Sequence, residues 1–252
     1  MIIDTHCHLD HPSLASRCST VLAQARRAGI GKLVIPGVGP DGWRGIAALA
    51  GAEEGVFPAF GLHPMLTSRY GLGLLEELEH YAARGVAIGE IGLDYTVAGV
   101  SREDQVAAVR GQLRLALRMG LPVLIHCRRA FQDMLRIVRE ERVREVGGIM
   151  HAFSGSPEIA RQFIGEGFLI SMAGTITYRN AVKPPEVAAR IPLEHLVLET
   201  DAPDMAPEPF RGRVNQPAFL RVTAEKLAQI KGVSLEEVSA ATTANAERIF
   251  RI

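Results

Sequence analysis

The sequence predicts an α/β fold, a (β/α)8 TIM barrel formed by a single domain that spans residues 1–252. Three observations support this prediction. Eight short apolar runs alternate with amphipathic segments, the runs are almost continuously apolar, and the length is close to the roughly 250 residues that such a barrel uses. Continuously apolar strands indicate parallel pairing with both faces covered. An open, doubly wound parallel sheet is the alternative arrangement of these elements.

The eight predicted strands are short and rich in β-branched residues, and most are followed by a helical pattern. They cover residues 1–7, 32–38, 56–61, 86–91, 122–126, 148–151, 167–172 and 196–200. Two of the intervening helices are well defined by apolar residues at helical spacing, at 102–119 and 130–142.

The last part of the chain reads differently from the strand–helix units. Residues 202–217 are rich in proline and predict a long loop after the eighth strand. Two helices follow, at about 216–231 and 234–249. Ser234 and Glu237 have the spacing of a capping box, which predicts the start of the second helix.

Composition excludes several classes of protein. The formal net charge is zero, so no overall basic field attracts nucleic acid or a membrane surface. Three cysteines, an odd and sparse set, predict a reducing compartment rather than a disulfide framework. The sequence shows neither a signal peptide nor an apolar stretch of about 18 residues. We therefore expect a cytoplasmic protein with no membrane association and no obligate protein partner.

Two histidines stand in the first apolar run. On a strand, alternate side chains share a face, so Asp4, His6 and His8 point one way while Thr5 and Cys7 point the other. Two imidazoles about 6–7 Å apart on one face are suited to bind a metal ion together.

Further residues of metal-ligand type stand at the carboxyl ends of other predicted strands, the end at which barrels of this type place their active sites. They are Glu90 near the end of the fourth strand, His126 at the end of the fifth, His151 at the end of the sixth and Asp201 directly after the eighth. Four of the eight histidines, one glutamate and one aspartate are therefore predicted to meet at one end of the barrel.

Six nitrogen and oxygen ligands exceed what a single divalent ion needs, so we predict two ions, Mg, Mn or Zn. Such pairs lie about 3.5–4 Å apart and stabilise the attacking and leaving oxygens. None of the four lysines stands at a strand end where it could be carbamylated to bridge the ions. The predicted first site is His6, His8 and Asp201, the second is His126 and His151, and Glu90 bridges them.

These motifs resemble the TatD-type metal-dependent deoxyribonucleases of the amidohydrolase superfamily. The matching segments are Asp4-Thr5-His6-Cys7-His8, Gly61-Leu62-His63-Pro64, Gly89-Glu90-Ile91-Gly92-Leu93-Asp94-Tyr95, Ile125-His126-Cys127-Arg128, His151-Ala152-Phe153-Ser154-Gly155 and Glu199-Thr200-Asp201-Ala202-Pro203. Segments 174–178 and 201–205 are similar to the YjjV-like branch. The resemblance implies a TIM barrel, the two-ion site described above and phosphodiester hydrolysis, with 3'-5' exodeoxyribonuclease activity on single-stranded DNA ends.

Two positions depart from the pattern of the family. Arg129 stands where many members carry an acidic residue, and Gln216 stands where many have glutamate. Both changes remove negative charge near the predicted mouth of the barrel, which favours an anionic substrate. They also leave the substrate specificity open.

Roles follow for several residues. Asp201 is the predicted general base, since it can bind a metal and accept a proton from the attacking water. His63 is predicted to contact substrate phosphate or to protonate the leaving group, and Arg128 to clamp phosphate through two hydrogen bonds. Glu199 shares a face with Asp201 and is predicted to orient a ligand histidine. Tyr95 either stacks on a base or packs.

Alternatives remain at this level. Arg128 could equally form a salt bridge on the outside of the barrel, and Arg179, Arg211 and Arg213 are further candidates for contact with substrate. The same metals could serve a hydrolase of a small ester, lactone or amide, because fold and metal do not determine the substrate. A non-catalytic protein with structural metals is the third possibility.

Overall fold

The computed structural model describes residues 1–252 and confirms the (β/α)8 barrel. Eight parallel strands follow the order of the chain around one sheet. They are β1 (Ile2–Asp4), β2 (Ile30–Pro36), β3 (Val56–Phe60), β4 (Ala87–Asp94), β5 (Val123–Arg128), β6 (Gly148–Met150), β7 (Phe168–Met172) and β8 (Leu196–Leu198).

Ten α-helices surround the strands, with short 3-10 turns between some of them. They are α1 (Pro12–Ala15), α2 (Cys18–Arg27), α3 (Pro40–Ala52), α4 (Leu72–Ala82), α5 (Arg102–Met119), α6 (Phe131–Glu140), α7 (Pro157–Gly165), α8 (Lys183–Arg190), α9 (Leu220–Lys231) and α10 (Leu235–Phe250). The capping box predicted at Ser234 and Glu237 is present. No helix has both the length and the apolar character needed to cross a membrane.

The sheet closes between its first and last strands. The backbone N–H of Thr5 donates to Leu198 O at 3.0 Å, and Cys7 forms a parallel bridge with Ala202. Asp4 reinforces this closure, because its buried carboxylate accepts hydrogen bonds from the Thr200 N–H at 2.9 Å and the Thr200 hydroxyl at 2.6 Å. The closure fixes the segments after β1 and β8 side by side.

The interior of the barrel is filled by one apolar side chain from each strand. Ala246 and Phe250 of α10 pack against this inner layer and cover the amino ends of the strands. The larger apolar cluster lies outside, between the strands and the helices. Because α10 covers one end, the carboxyl ends of the strands form the open mouth. The inner layer consists of Ile3, Val34, Ala59, Ala87, Leu124, Ile149, Leu169 and Val197.

Strand boundaries differ from the predicted ones where the mouth is built. β1 ends at Asp4, so His6 and His8 follow the strand rather than lying within it. β4 continues to Asp94, so Glu90 lies in the middle of the strand rather than at its end. The cause is pairing at the far end of β4, where Gly92 and Asp94 remain in register with β5.

Candidate metal centre

A cavity of about 860 Å³ opens at the carboxyl ends of the strands. Its lining includes the predicted residues His8, His63, Glu90, Arg128 and Asp201, and His126 and His151 line it as well. His6 lies beneath the lining and is fully buried. The structure therefore brings together all six predicted ligand residues from five separate strands or the loops after them.

Glu90 lies between two groups of histidines and turns one carboxylate oxygen toward each. Its Oε2 is 3.4 Å from His6 Nε2 and 3.7 Å from His8 Nε2. Its Oε1 is 3.0 Å from His126 Nδ1 and 3.5 Å from His151 Nε2. The two oxygens of this one buried side chain thus face different histidines.

Asp201 completes the first group. Its Oδ1 is 3.8 Å from His6 Nε2 and 3.7 Å from His8 Nε2, and the two histidine nitrogens are 3.2 Å apart. Bonds of about 2.1 Å to one tetrahedral ion would place ligand atoms roughly 3.4 Å apart. The observed separations have that scale, so these three atoms fit around a divalent cation.

Glu199 lies beside Nδ1 of His151, on the side of the ring away from Glu90. Its Oε1 lies 3.0 Å from His151 Nδ1 and accepts a hydrogen bond from the Ala152 N–H at 2.6 Å. A proton on Nδ1, beside this carboxylate, leaves the Nε2 lone pair of His151 directed toward Glu90. This is the orienting position that the sequence predicts for Glu199.

Asp94 orients the ring of His126 in the same way as Glu199 orients that of His151. The sequence analysis did not identify this role of Asp94. Its Oδ2 lies 3.2 Å from His126 Nε2, so a proton on Nε2 leaves Nδ1 free to face Glu90. Asp94 follows Glu90 by four residues on the same strand, a spacing that puts both on one face. Recognising that β4 extends to residue 94 would have revealed it.

His63 differs from the other histidines in its hydrogen bonding. Its Nδ1 accepts the Met65 N–H at 3.2 Å, so the neutral ring carries its proton on Nε2, which lies 3.7 Å from Glu90 Oε1. A nitrogen that carries a proton cannot bind a metal. The ring therefore fits the predicted role of a hydrogen-bond donor in the mouth. By distance alone, His63 also groups with Glu90 and His126 as a set that could hold an ion.

The predicted arginines divide into two groups. Arg128 is exposed at the rim, lines the cavity and forms no ion pair. Arg179, Arg211 and Arg213 do not line it. Arg211 lies over the ring of Tyr178 at 4.3 Å, and Arg213 lies 6.0 Å from the centre of the Phe210 ring. Gln216 does not line the cavity either.

Burial and mutual charge shift the pKa values of the group strongly. Burial alone would raise the pKa of Glu90, yet the surrounding histidines outweigh it and hold the pKa well below the ordinary value. Burial lowers the pKa of His6 to about 3 and raises that of Asp201 to about 8. The carboxylates around His151 outweigh its burial and raise its pKa to about 10. A cation beside Asp201 would favour the ionised carboxylate and reverse its shift.

The donor set fits divalent cations. Imidazole nitrogens and carboxylate oxygens suit Zn, Mn and related ions, and the buried carboxylates of Glu90 and Asp201 have no lysine or arginine as a partner. None of the four lysines lines the cavity. Asp201 adopts a φ of +56°, a left-handed conformation that aspartate tolerates better than most residues. Its N–H donates to His6 O at 2.9 Å, which holds the two ligand segments together.

Comparisons with known proteins agree with this site. The family model described as TatD related DNase matches residues 3–251. The chain is 36% identical over 255 residues to the metal-dependent hydrolase YabD of Bacillus subtilis, with 100% of each chain covered. It is 32% identical over 264 residues to the human deoxyribonuclease TATDN3. The alignment covers 99% of this chain and 94% of that protein.

A solved structure gives the same result. The TatD homologue YjjV of Escherichia coli superposes with a TM-score of 0.95 at 34% identity and covers 100% of this chain and 98% of that one. The resemblance seen in the sequence motifs is confirmed. The chain belongs to the TatD family of metal-dependent hydrolases.

Proposed function

We propose that the protein is a two-ion phosphodiesterase that removes nucleotides from an end of single-stranded DNA, in the 3'-5' direction. The observation that carries the proposal is the position of the Glu90 carboxylate between two groups of histidines. Its Oε2 faces His6 and His8, and its Oε1 faces His126 and His151. His6, His8 and Asp201 would hold one divalent ion, His126 and His151 the other, and Glu90 both. Such ions, when bound, polarise the phosphoryl group and make water a stronger acid.

The chain's own residues supply the remaining chemistry. Asp201 accepts the proton of the attacking water, because its carboxylate lies between both histidine groups, 3.7 Å from His8 Nε2 and 3.8 Å from His151 Nε2. The neutral ring of His63 keeps its proton and donates a hydrogen bond from Nε2 to a phosphate oxygen or to the leaving oxygen. The proton that Asp201 takes from the water is then available to the leaving oxygen. Arg128 binds the non-bridging phosphate oxygens at the rim.

The depth of the site favours a strand end over duplex. The side chains of Glu90 and His151 are each only 4% exposed, so the scissile phosphate must descend into the mouth. A flexible single strand can enter, whereas paired strands would first have to separate. The zero net charge offers little of the salt-sensitive grip by which proteins track along duplex. The human relative is named a deoxyribonuclease, which supports the same assignment.

The test compares substrates on protein reconstituted with Mg, Mn or Zn. End-labelled single-stranded DNA, duplex DNA, RNA and a panel of simple esters, lactones and amides are incubated in parallel, with the metal-stripped protein as control. We expect stepwise shortening of single-stranded DNA from its 3' end. Rapid cleavage of an ester, lactone or amide with no attack on DNA would instead establish the alternative hydrolase.

A further inference from the structure

A second cavity, of about 360 Å³, lies beside the mouth of the barrel and has no place in the chemistry described above. Its lining includes the cations Arg129 and Lys183, the aromatic side chains Tyr95 and Phe131, and Ser156. It combines positive charge with aromatic side chains, which is the pairing that proteins use to bind single-stranded nucleic acid.

The two cavities adjoin each other along four segments of the chain. At each segment one residue lines the first cavity and its chain neighbour lines the second, and these pairs are Asp94 and Tyr95, Arg128 and Arg129, Ser154 and Gly155, and Pro184 and Lys183. Consecutive α-carbons are 3.8 Å apart, so only the thickness of the backbone separates the two at each segment. The two cavities therefore lie side by side at the mouth of the barrel.

The two cations are free to bind an anion. Arg129 and Lys183 are exposed, and neither forms an ion pair with an acidic side chain. The carboxylate in this cavity, Asp133, is already engaged by the Tyr95 hydroxyl at 2.8 Å and by Arg136 at 3.0 Å. The local charge that faces an incoming ligand is therefore positive, in a chain whose net charge is zero.

The aromatic side chains offer surface for a base. Tyr95 is half-buried and carries Arg102 over its ring at 4.3 Å, while Phe131 is half-buried against Phe153. Bases stack on such partly exposed rings with little dependence on sequence.

From this arrangement we propose that the second cavity is a subsite for a single-stranded polynucleotide, in which Arg129 and Lys183 bind a backbone phosphate beyond the one being cleaved. The inference rests on the proposed nuclease function and extends it. Neither Arg129 nor Lys183 belongs to the predicted ligand set, so the subsite is distinct from the metal centre.

The test uses the metal-loaded protein on two substrates, the dinucleotide dTpdT and an octamer of thymidylate. The double variant Arg129→Ala/Lys183→Ala should lower kcat/KM for the octamer by about tenfold and leave the dinucleotide within about twofold, because only the octamer reaches the second cavity. Arg129→Glu should lower the octamer value further by repelling phosphate.

Binding gives a second readout that does not depend on turnover. In an Asp201→Asn background, fluorescence anisotropy with a labelled octamer should show weaker binding for the double variant. The slope of log affinity against log salt should flatten by about 0.7 for each phosphate that the variant no longer neutralises. The matched control Arg84→Ala/Lys226→Ala removes one arginine and one lysine that line neither cavity, and it should behave as the parent.

The outcomes separate the two hypotheses. If the parent cleaves DNA but the double variant keeps the parental preference for the octamer and the parental salt slope, the subsite is wrong and the nuclease stands. An equal loss in the control variant would likewise remove the subsite. If the parent cleaves neither DNA substrate, the nuclease function fails and the subsite fails with it.

Discussion

Gln112 forms two hydrogen bonds with the backbone of Leu62, accepting its N–H at 2.7 Å and donating to its carbonyl at 3.2 Å. Leu62 directly precedes His63, so a buried side chain of α5 positions a residue of the mouth. Gln105, two turns earlier on α5, makes the equivalent pair of bonds to Asp94, at 2.8 Å and 2.9 Å. One helix thus fixes two walls of the cavity through their backbones.

The first prediction concerns this support. Gln112→Leu keeps the approximate size of the side chain but leaves both polar groups of Leu62 buried without partners, which costs about 1–3 kcal/mol of unfolding free energy. Chemical denaturation measures the loss. Gln229→Leu on the exposed face of α9 is the control and should change stability by less than about 0.5 kcal/mol. Equal stability of Gln112→Leu and the parent would show that the two hydrogen bonds between Gln112 and Leu62 contribute nothing to the free energy of unfolding.

The number of bound ions tests the role of Glu90. We expect two ions per chain in the parent by elemental analysis after reconstitution in excess metal. Glu90→Gln replaces one carboxylate oxygen by an amide nitrogen, which does not bind metal, and should reduce the count to one or fewer. A parent that never exceeds one ion would overturn the two-ion site.

His63 and His126 lie with ring centres 4.5 Å apart but should respond differently to substitution. His126→Ala should lower the metal content, because Nδ1 of His126 faces Glu90 at 3.0 Å. His63→Ala should keep the metal content and lower kcat by about 10²-fold, because the ring no longer donates a hydrogen bond to the negative charge that develops on the phosphate or leaving oxygen. Loss of metal in His63→Ala would make His63 a ligand instead.

Asp201→Asn should preserve the fold and much of the metal binding while abolishing turnover. An amide oxygen can still coordinate a cation, yet it cannot take a proton from water at neutral pH. The expected fall in kcat exceeds about 10²-fold. Asp204→Asn, which alters an exposed carboxylate that lines the same cavity, is the matched control and should stay near the parental rate. Residual activity of Asp201→Asn within a few-fold of the parent would exclude it as the base.

Tyr95 should have a pKa above the ordinary value for tyrosine. Burial and the neighbouring carboxylate of Asp133, which accepts its hydroxyl proton, raise the pKa of Tyr95 to about 12 from an ordinary value of 10.0. A raised pKa of this kind stabilises the folded state below pH 10, and that contribution is lost as the pH rises through about 12. NMR titration of labelled tyrosine should show a Tyr95 resonance whose titration midpoint lies near pH 12. Asp133→Asn should lower that midpoint. A normal midpoint in the parent would contradict the contact.

The sequence was sufficient to place the predicted ligand residues at one end of the barrel because their positions depend on topology alone. Once eight parallel strands are recognised, their carboxyl ends must meet, and His126, His151 and Asp201 follow from counting strands. Glu90 was correctly placed in the mouth although its strand continues four residues beyond it. An error in a strand boundary therefore did not displace the predicted site.

Contacts between side chains from distant segments were beyond the sequence. Asp94 acts through His126 on the neighbouring strand, and the predicted end of the fourth strand at residue 91 left it outside that strand. Asp4 shares the predicted face of His6 and His8 but is bonded to Thr200, 196 residues away along the chain. Arg211 was a candidate for the mouth until the structure placed it over Tyr178. Each outcome depends on packing between loops that the local pattern does not encode.

The closure of the barrel has a consequence for how the protein is made. Thr5 bonds to Leu198, 193 residues later, and the helix that covers the amino ends of the strands is the last one in the chain. While a ribosome is still producing the middle of the protein, β1 has no partner on one side and the inner apolar layer has no cover. Unpaired strand edges of this kind promote aggregation. Long-range pairing also slows folding, so the inner apolar layer stays uncovered until α10 has been synthesised.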